Sequence, residues 1–223
     1  MKKKPYKLSF LIFIFFIFTT YNIKEKNNNF GIFFPIKKIL IENTTGTNLI
    51  KLKFDLDSLI NTSLFVLKKE KLLDIISQYD FISNIQLKKK YPNTLKILVI
   101  ERIPIATRII DKKKFYITKN NKKINFINLK IYENLPSIFG KYKNFNFFYE
   151  DLKNNNFKMN EIKSFYYFEI GRWDIVLKNE RIIKLPEKKY QDILPKINSI
   201  LEDSNFSKYK IFDFRIKDQL ILQ

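Results

Sequence analysis

The chain has no cysteine and no histidine. That excludes a disulfide, a thiol nucleophile, a histidine-based metal site and a Ser-His-Asp triad. Only four glycines are present, which leaves no room for a Gly-rich phosphate loop. Arginine, the side chain that most often reads base edges, is rare. Yet Lys and Arg outnumber Asp and Glu by 42 to 22, for a formal net charge of +20. Most of this excess is lysine scattered singly among Asn, Ile and Phe. The charge is read first as compositional drift, then as attraction to an anionic membrane surface, and last as nucleic-acid binding. Carboxylates occur at Glu150, Asp151, Glu169, Asp174, Asp213 and Asp218. No spacing pairs two of them across a cleft, as a glycosidase requires. No catalytic residue, cofactor or metal is assigned.

What is present argues for a folded protein. The 223 residues are 45% hydrophobic, enough for one large or two small domains. Lys2, Lys3, Lys4 and Lys7 precede an uncharged run from Leu8 to Tyr21. The basic flank predicts a cytoplasmic N-terminus and an exported remainder. The strictly uncharged run is short beside the ~20 residues of a spanning helix and also fits a signal-peptide core. No small-x-small cleavage site follows it, however. Pro5 to Ile23 is long enough to span if Lys7 snorkels and Tyr6 and Tyr21 sit at the interfaces. The expectation is an uncleaved anchor over 8–23, after a tail at 1–7 and before an Asn-rich linker at 24–35.

The most informative stretch runs from Phe81 to Ala106. Ile85 and Leu87 alternate with Gln86 and Lys88, which predicts a half-buried strand. Tyr91-Pro92-Asn93-Thr94 predicts a turn. Leu95 to Ile103 returns, with Ile97-Leu98-Val99-Ile100 predicting a central strand covered on both faces. Pro104 should end it. Upstream, Ile36–Glu42 is read as a strand, with helices over Leu49–Asn61 and Lys68–Tyr79.

The string from Phe81 through Y-P-N-T-L-K-I-L-V-I-E-R-I-P-I-A resembles the hairpin that closes the POTRA domain of the bacterial FtsQ/DivIB family. Ser63-Leu64-Phe65-Val66-Leu67 resembles that domain's connector. Leu135-Pro136-Ser137-Ile138-Phe139-Gly140, Arg172-Trp173-Asp174 and Ile211-Phe212-Asp213-Phe214-Arg215 resemble later motifs of the family. The resemblance covers about 36–222. It implies an α+β protein: a single transmembrane helix, a β-α-α-β-β POTRA domain at 36–104, and a β-rich domain at 105–223 with one or two helices. It also implies a non-enzymatic scaffold at the inner membrane and division septum. Such a scaffold links early and late division proteins through an FtsB–FtsL pair, with FtsW, FtsI and FtsK types as further partners. POTRA-bearing outer-membrane assembly or secretion factors are the competing class. They end in a long barrel, and no series of amphipathic ~10-residue strands follows Ile105.

Two sets of residues are singled out. Glu101, Arg102 and Pro104 lie where the two expected domains join, although Glu101-Arg102 also fits a surface ion pair of little worth. The end of a β-meander is an edge strand open to strand addition. By resemblance the partner is received there, so Phe214, Arg215, Ile216 and Leu220 are the expected contacts. Leu64, Phe65, Phe81 and the single tryptophan, Trp173, are read as core. Tyr190–Leu201 is read as a helix, with Pro195 implying a kink or a late start.

Overall fold

Apolar alternation and turn chemistry translate into two sheets in a computed structural model, which describes residues 6–20 and 33–223. The smaller sheet contains β1 (Lys38–Glu42), β2 (Ile82–Lys90) and β3 (Thr94–Glu101) in the order β1-β3-β2. Strand β3 is central, parallel to β1 and antiparallel to β2, with Leu87 opposite Ile97 and Ile85 opposite Val99. The helices α2 (Leu49–Leu56) and α3 (Lys69–Ile76) bring Leu52, Leu56, Leu72 and Ile76 onto Ile85, Leu95, Ile97 and Val99. The Asn48 side chain caps α2 by accepting from the Lys51 amide at 3.0 Å, as N-cap asparagines do. This is the β-α-α-β-β order expected from the sequence.

Two details differ. Strand β3 is covered on one face only. Leu98 is half-buried and Ile100 is exposed, because both helices lie on the other side. The first helix ends at Leu56 and passes into a 3₁₀ turn at Asp57–Leu59. Asn61 then takes a left-handed conformation that asparagine tolerates.

The larger sheet has nine strands: β4 (Pro104–Ile110), β5 (Lys113–Thr118), β6 (Lys123–Asn125), β7 (Ser137–Phe139), β8 (Ile162–Phe168), β9 (Arg172–Leu177), β10 (Ile182–Lys184), β11 (Ile211–Asp213) and β12 (Ile221–Leu222). Their spatial order is β12-β11-β10-β9-β8-β7-β4-β5-β6. The expected meander is therefore corrected. β4–β7, β7–β8 and β10–β11 are parallel pairs, and parallel neighbours need a crossover. Two crossovers are the helices α4 (Phe145–Asn154) and α5 (Leu194–Glu202). Pro195 sits in the first turn of α5, where a missing amide costs nothing, so it marks a late start and not a kink. Phe145, Phe148 and Leu152 of α4 and Leu194 and Ile197 of α5 bury against Phe165, Trp173, Ile175, Ile183 and Phe212. Gly140 has φ +94°, and a Cβ there would lie 2.1 Å from the Tyr167 carbonyl oxygen, so no other residue fits.

Residues 34–223 form one compact unit, and the N-terminal segment forms another. In the latter, α1 runs over Tyr6–Thr20 and exposes Phe10, Leu11, Ile12, Phe13, Phe15, Phe16 and Ile17. Among the described residues no helix is long and apolar enough to cross a membrane. The end of the expected anchor (21–23), most of the linker (24–32) and the start of the tail (1–5) lie outside the described residues.

Candidate functional site

Strand β3 leads into β4 through only Arg102 and Ile103. At this joint the Glu101 carboxylate accepts three backbone amides. Thr45 and Gly46 each donate to Oε2 at 2.9 Å, and Thr47 donates to Oε1 at 2.8 Å. The surface pair Glu101–Arg102 is therefore corrected. Glu101 secures the loop after β1, a charge-assisted arrangement stronger than an exposed ion pair. Arg102 turns the other way. Its Nη1 donates to the Asp80 carbonyl at 2.5 Å and to the Ile82 carbonyl, and its amide donates to the Phe81 carbonyl at 2.6 Å. Pro104 is buried and opens β4 opposite Thr118, next to a register shift, so it starts a strand as well as ending one. The first position suits proline because no ladder donor is needed there.

Phe81 is the residue that sequence reasoning misplaced. It is not part of the smaller sheet's core. It packs with Tyr116 and Ile124 of the larger sheet, its ring centroid 5.9 Å from Tyr116 and 6.4 Å from Tyr132. A Cβ on Gly46 would lie 2.4 Å from the Phe81 ring, so the loop held by Glu101 also forms the floor under Phe81. Asp80 adds a bond across the joint, accepting from Asn125 Nδ2 at 2.5 Å. The available signal was the pair Phe81-Ile82, two apolar residues in succession at a strand start, which must face opposite sides. Phe65 is corrected too. It is 61% exposed, whereas Leu64 is buried as expected.

At the C-terminal end, where the sequence predicts a final strand or pair over Ile211–Leu222, a pair forms. β11 stops at Asp213, a turn follows, and β12 returns antiparallel. Arg215 folds back onto Asp213, with Nε 2.8 and 2.9 Å from the two carboxylate oxygens and Nη2 at 2.5 Å. Of the four expected contacts, Phe214 is buried in the larger core, Leu220 is half-buried against it, and Arg215 and Ile216 are exposed. Ile216 lies in the turn, not in a strand, so a proline there would break no ladder bond. One edge of the sheet is β12, the other β6. Gln223 exchanges bonds with Ile211 in both directions, at 2.9 and 3.1 Å. By antiparallel alternation, the amide and carbonyl of Leu222, opposite Phe212, point away from the sheet.

A charged row supports this edge. Asp174, Lys184 and Asp213 lie in register on β9, β10 and β11. The Arg215 guanidinium holds the Asp213 carboxyl below the usual carboxylate range. Burial pushes Asp174 up, against the opposing pull of Arg172. Arg172 Nε lies 3.2 Å from Asp174 Oδ1 but is not aligned for a hydrogen bond, so both buried atoms lack one. The two carboxyls have opposite linkage. Asp213, with its folded pKa depressed, contributes stability above its unfolded pKa and loses it as pH falls through the folded value. Asp174, with its folded pKa raised, opposes folding while ionised and ceases to do so on acidification. Asp213→Asn is therefore expected to be less stable than the unsubstituted protein in urea at neutral pH, and the gap is expected to close below the ordinary carboxylate range. A gap that persists in acid would mean the Arg215 pair is not its source.

Comparison with known proteins adds the following. Residues 34–102 match the family model described as a POTRA domain of FtsQ type. Over 232 residues the chain is 23% identical to the cell division protein FtsQ of Rickettsia felis, covering 97% of the chain and 86% of the relative. It is 24% identical over 206 residues to that of Rickettsia typhi, covering 91% and 76%. It is 23% identical over 210 residues to that of Rickettsia conorii, covering 92% and 78%.

Proposed function

We propose that this chain, a cell-division protein of the FtsQ/DivIB family, is a non-enzymatic scaffold that receives an FtsB–FtsL-type pair at the β12 edge and so links early and late division proteins. Proteins of the FtsW, FtsI and FtsK types are the further partners in this reading. The N-terminal segment holds the chain in the inner membrane with its N-terminus cytoplasmic. A POTRA domain (36–104) and a β-domain (105–223) stand on the periplasmic side at the septum. The all-round apolar surface of α1 supports the membrane assignment, since nothing polar interrupts it over Phe10–Ile17.

The observation that carries the partner assignment is the open edge at β12. Outward backbone groups at Leu222 can add a strand, and the exposed Ile216 and Ile221 with Arg215 supply side-chain contacts beside it. Phe214 supports this surface from behind. Glu101, Arg102 and Pro104 limit the angles between the two domains. The test compares Leu222→Pro with Leu222→Ala in a pull-down with the FtsB–FtsL-type pair. Proline removes the outward amide without touching the bonds to β11, while alanine keeps the amide and trims the side chain. Capture is expected to fall at least tenfold for the proline variant and to survive largely in the alanine variant. Full capture by a folded Leu222→Pro protein would rule out strand addition at this edge.

A further inference from the structure

The tip of the β2–β3 hairpin gathers three segments that lie far apart in the sequence. The Leu64 amide donates to the Phe34 carbonyl at 2.9 Å, the Lys37 amide to the Asn93 carbonyl at 2.9 Å, and Lys89 Nζ to the Phe65 carbonyl at 3.1 Å. The Phe34 and Tyr91 rings meet edge to face with centroids 4.9 Å apart. Phe34, Phe65, Val66 and Tyr91 are 42%, 61%, 43% and 52% exposed. Four large apolar side chains left in water at one pole are unusual for a soluble surface.

The charge around them is one-sided. Residues 34–38, 62–69 and 87–96 contain eight lysines and no Asp or Glu. Lys96 is held by Glu42 from outside these segments at 2.8 Å, and Lys69 and Lys89 bond neutral oxygens. Lys37, Lys38, Lys68, Lys88 and Lys90 are exposed. Acids interrupt the lysines in other stretches such as Lys178–Asp192, although residues 112–132 also hold seven lysines and no Asp or Glu. What sets this pole apart is that its lysines surround the exposed side chains of Phe34, Phe65, Val66 and Tyr91.

We infer that this pole is a docking surface for an anionic lipid bilayer. Phe34, Phe65, Val66 and Tyr91 enter the headgroup boundary, and the surrounding lysines pair with lipid phosphates. Aromatic and aliphatic side chains ringed by lysine are the combination that an anionic interface selects. The inference rests on the reading of the N-terminal segment as a membrane anchor. Phe34 follows Thr20 by fourteen positions, and at about 3.5 Å per residue that tether keeps the pole within reach of the surface. Contact there would fix the height and tilt of the smaller sheet above the bilayer.

The absence of cysteine allows single-site labelling of the full chain. Phe65→Cys at the pole, Lys153→Cys on α4 and Phe13→Cys in α1 would each carry an environment-sensitive fluorophore. Each protein is reconstituted in vesicles of phosphatidylcholine alone or of an equimolar mixture with phosphatidylglycerol. A nitroxide-bearing lipid is the quencher. Quenching at Phe65 is expected to exceed that at Lys153 several-fold in the mixed vesicles. It should fall toward the Lys153 level in phosphatidylcholine alone, or when Lys37, Lys88 and Lys90 are changed to Gln. Quenching at Phe13 without quenching at Phe65 would keep the anchor and overturn the docking surface. Quenching at Phe65 without Phe13 would keep the surface and overturn the anchor. A Phe65 label unaffected by lipid but shielded when division partners are added would assign the pole to a protein and overturn the inference.

Discussion

Trp173→Ala is expected to cost about 3–5 kcal/mol, the range for deleting a large buried aromatic side chain. For a unit of this size that lowers the melting temperature by roughly 6–20 °C. The indole is 5% exposed and lies flat against Phe148, centroids 4.6 Å apart and planes 4° from parallel. Tyr167, Phe145 and Tyr142 surround it at 4.8, 5.7 and 6.1 Å. Removing it takes the common partner from β8, α4 and the segment between β7 and α4. A cluster of rigid rings collapses poorly into the cavity, so the upper half of the range applies. Trp173→Phe keeps most of the contact and should lose less than half as much. Circular dichroism in a thermal ramp checks both variants without relying on tryptophan fluorescence. A loss below about 1 kcal/mol for Trp173→Ala would show that the core repacks around the gap.

Phe81→Ala is the second large effect, about 3–5 kcal/mol by the same mechanism, and it should differ in kind. Phe81 belongs to the smaller sheet by sequence and to the larger by packing, against Tyr116, Ile124 and Tyr132. Its loss leaves both principal cores intact and weakens what binds them together. The expected calorimetric trace changes from one transition to two, with faster proteolysis at Arg102-Ile103. Gly46→Ala should reproduce part of this, because its new methyl group would occupy the place of the Phe81 ring. A single transition, shifted no further than that of the exposed Phe65→Ala, would show that the sheets are coupled elsewhere.

These residues also mark where the sequence was legible. The hairpin register follows from side-chain alternation. Ile85 and Leu87 face Val99 and Ile97, and a slip by one residue would have turned every one of them to water. Pro195 left a kink or a late start open, because its ring excludes the helix interior, and it lies in the first turn of α5. The joint was hidden for a different reason. Apolar periodicity identifies a buried face but not which of two cores receives it, so Phe81 looked like any strand residue. The sequence sets Glu101 beside Arg102, yet its partners lie 54–56 positions away. Strand β7 is three residues long, too short for any period to register. At the C-terminus, the alternation of I-F-D-F-R-I predicts a strand or a pair over Ile211–Leu222 without fixing where the first strand stops. The Asp213–Arg215 contact, made across two residues, closes it after three.

The brevity of β12 has a consequence for proteins crowded together at one place in a cell. A long bare edge would recruit copies of itself, because identical edges template one another. Two residues, with a charged turn immediately before them, offer too few main-chain bonds for that. At about 1 kcal/mol net per bond, a stray edge gains little and leaves again. A lasting occupant must bring side chains that fit around Arg215, Ile216 and Ile221 as well as a backbone to pair. In the proposed reading the stub therefore works as a filter: the backbone pairing is common to all comers, and the side chains decide which of them stays.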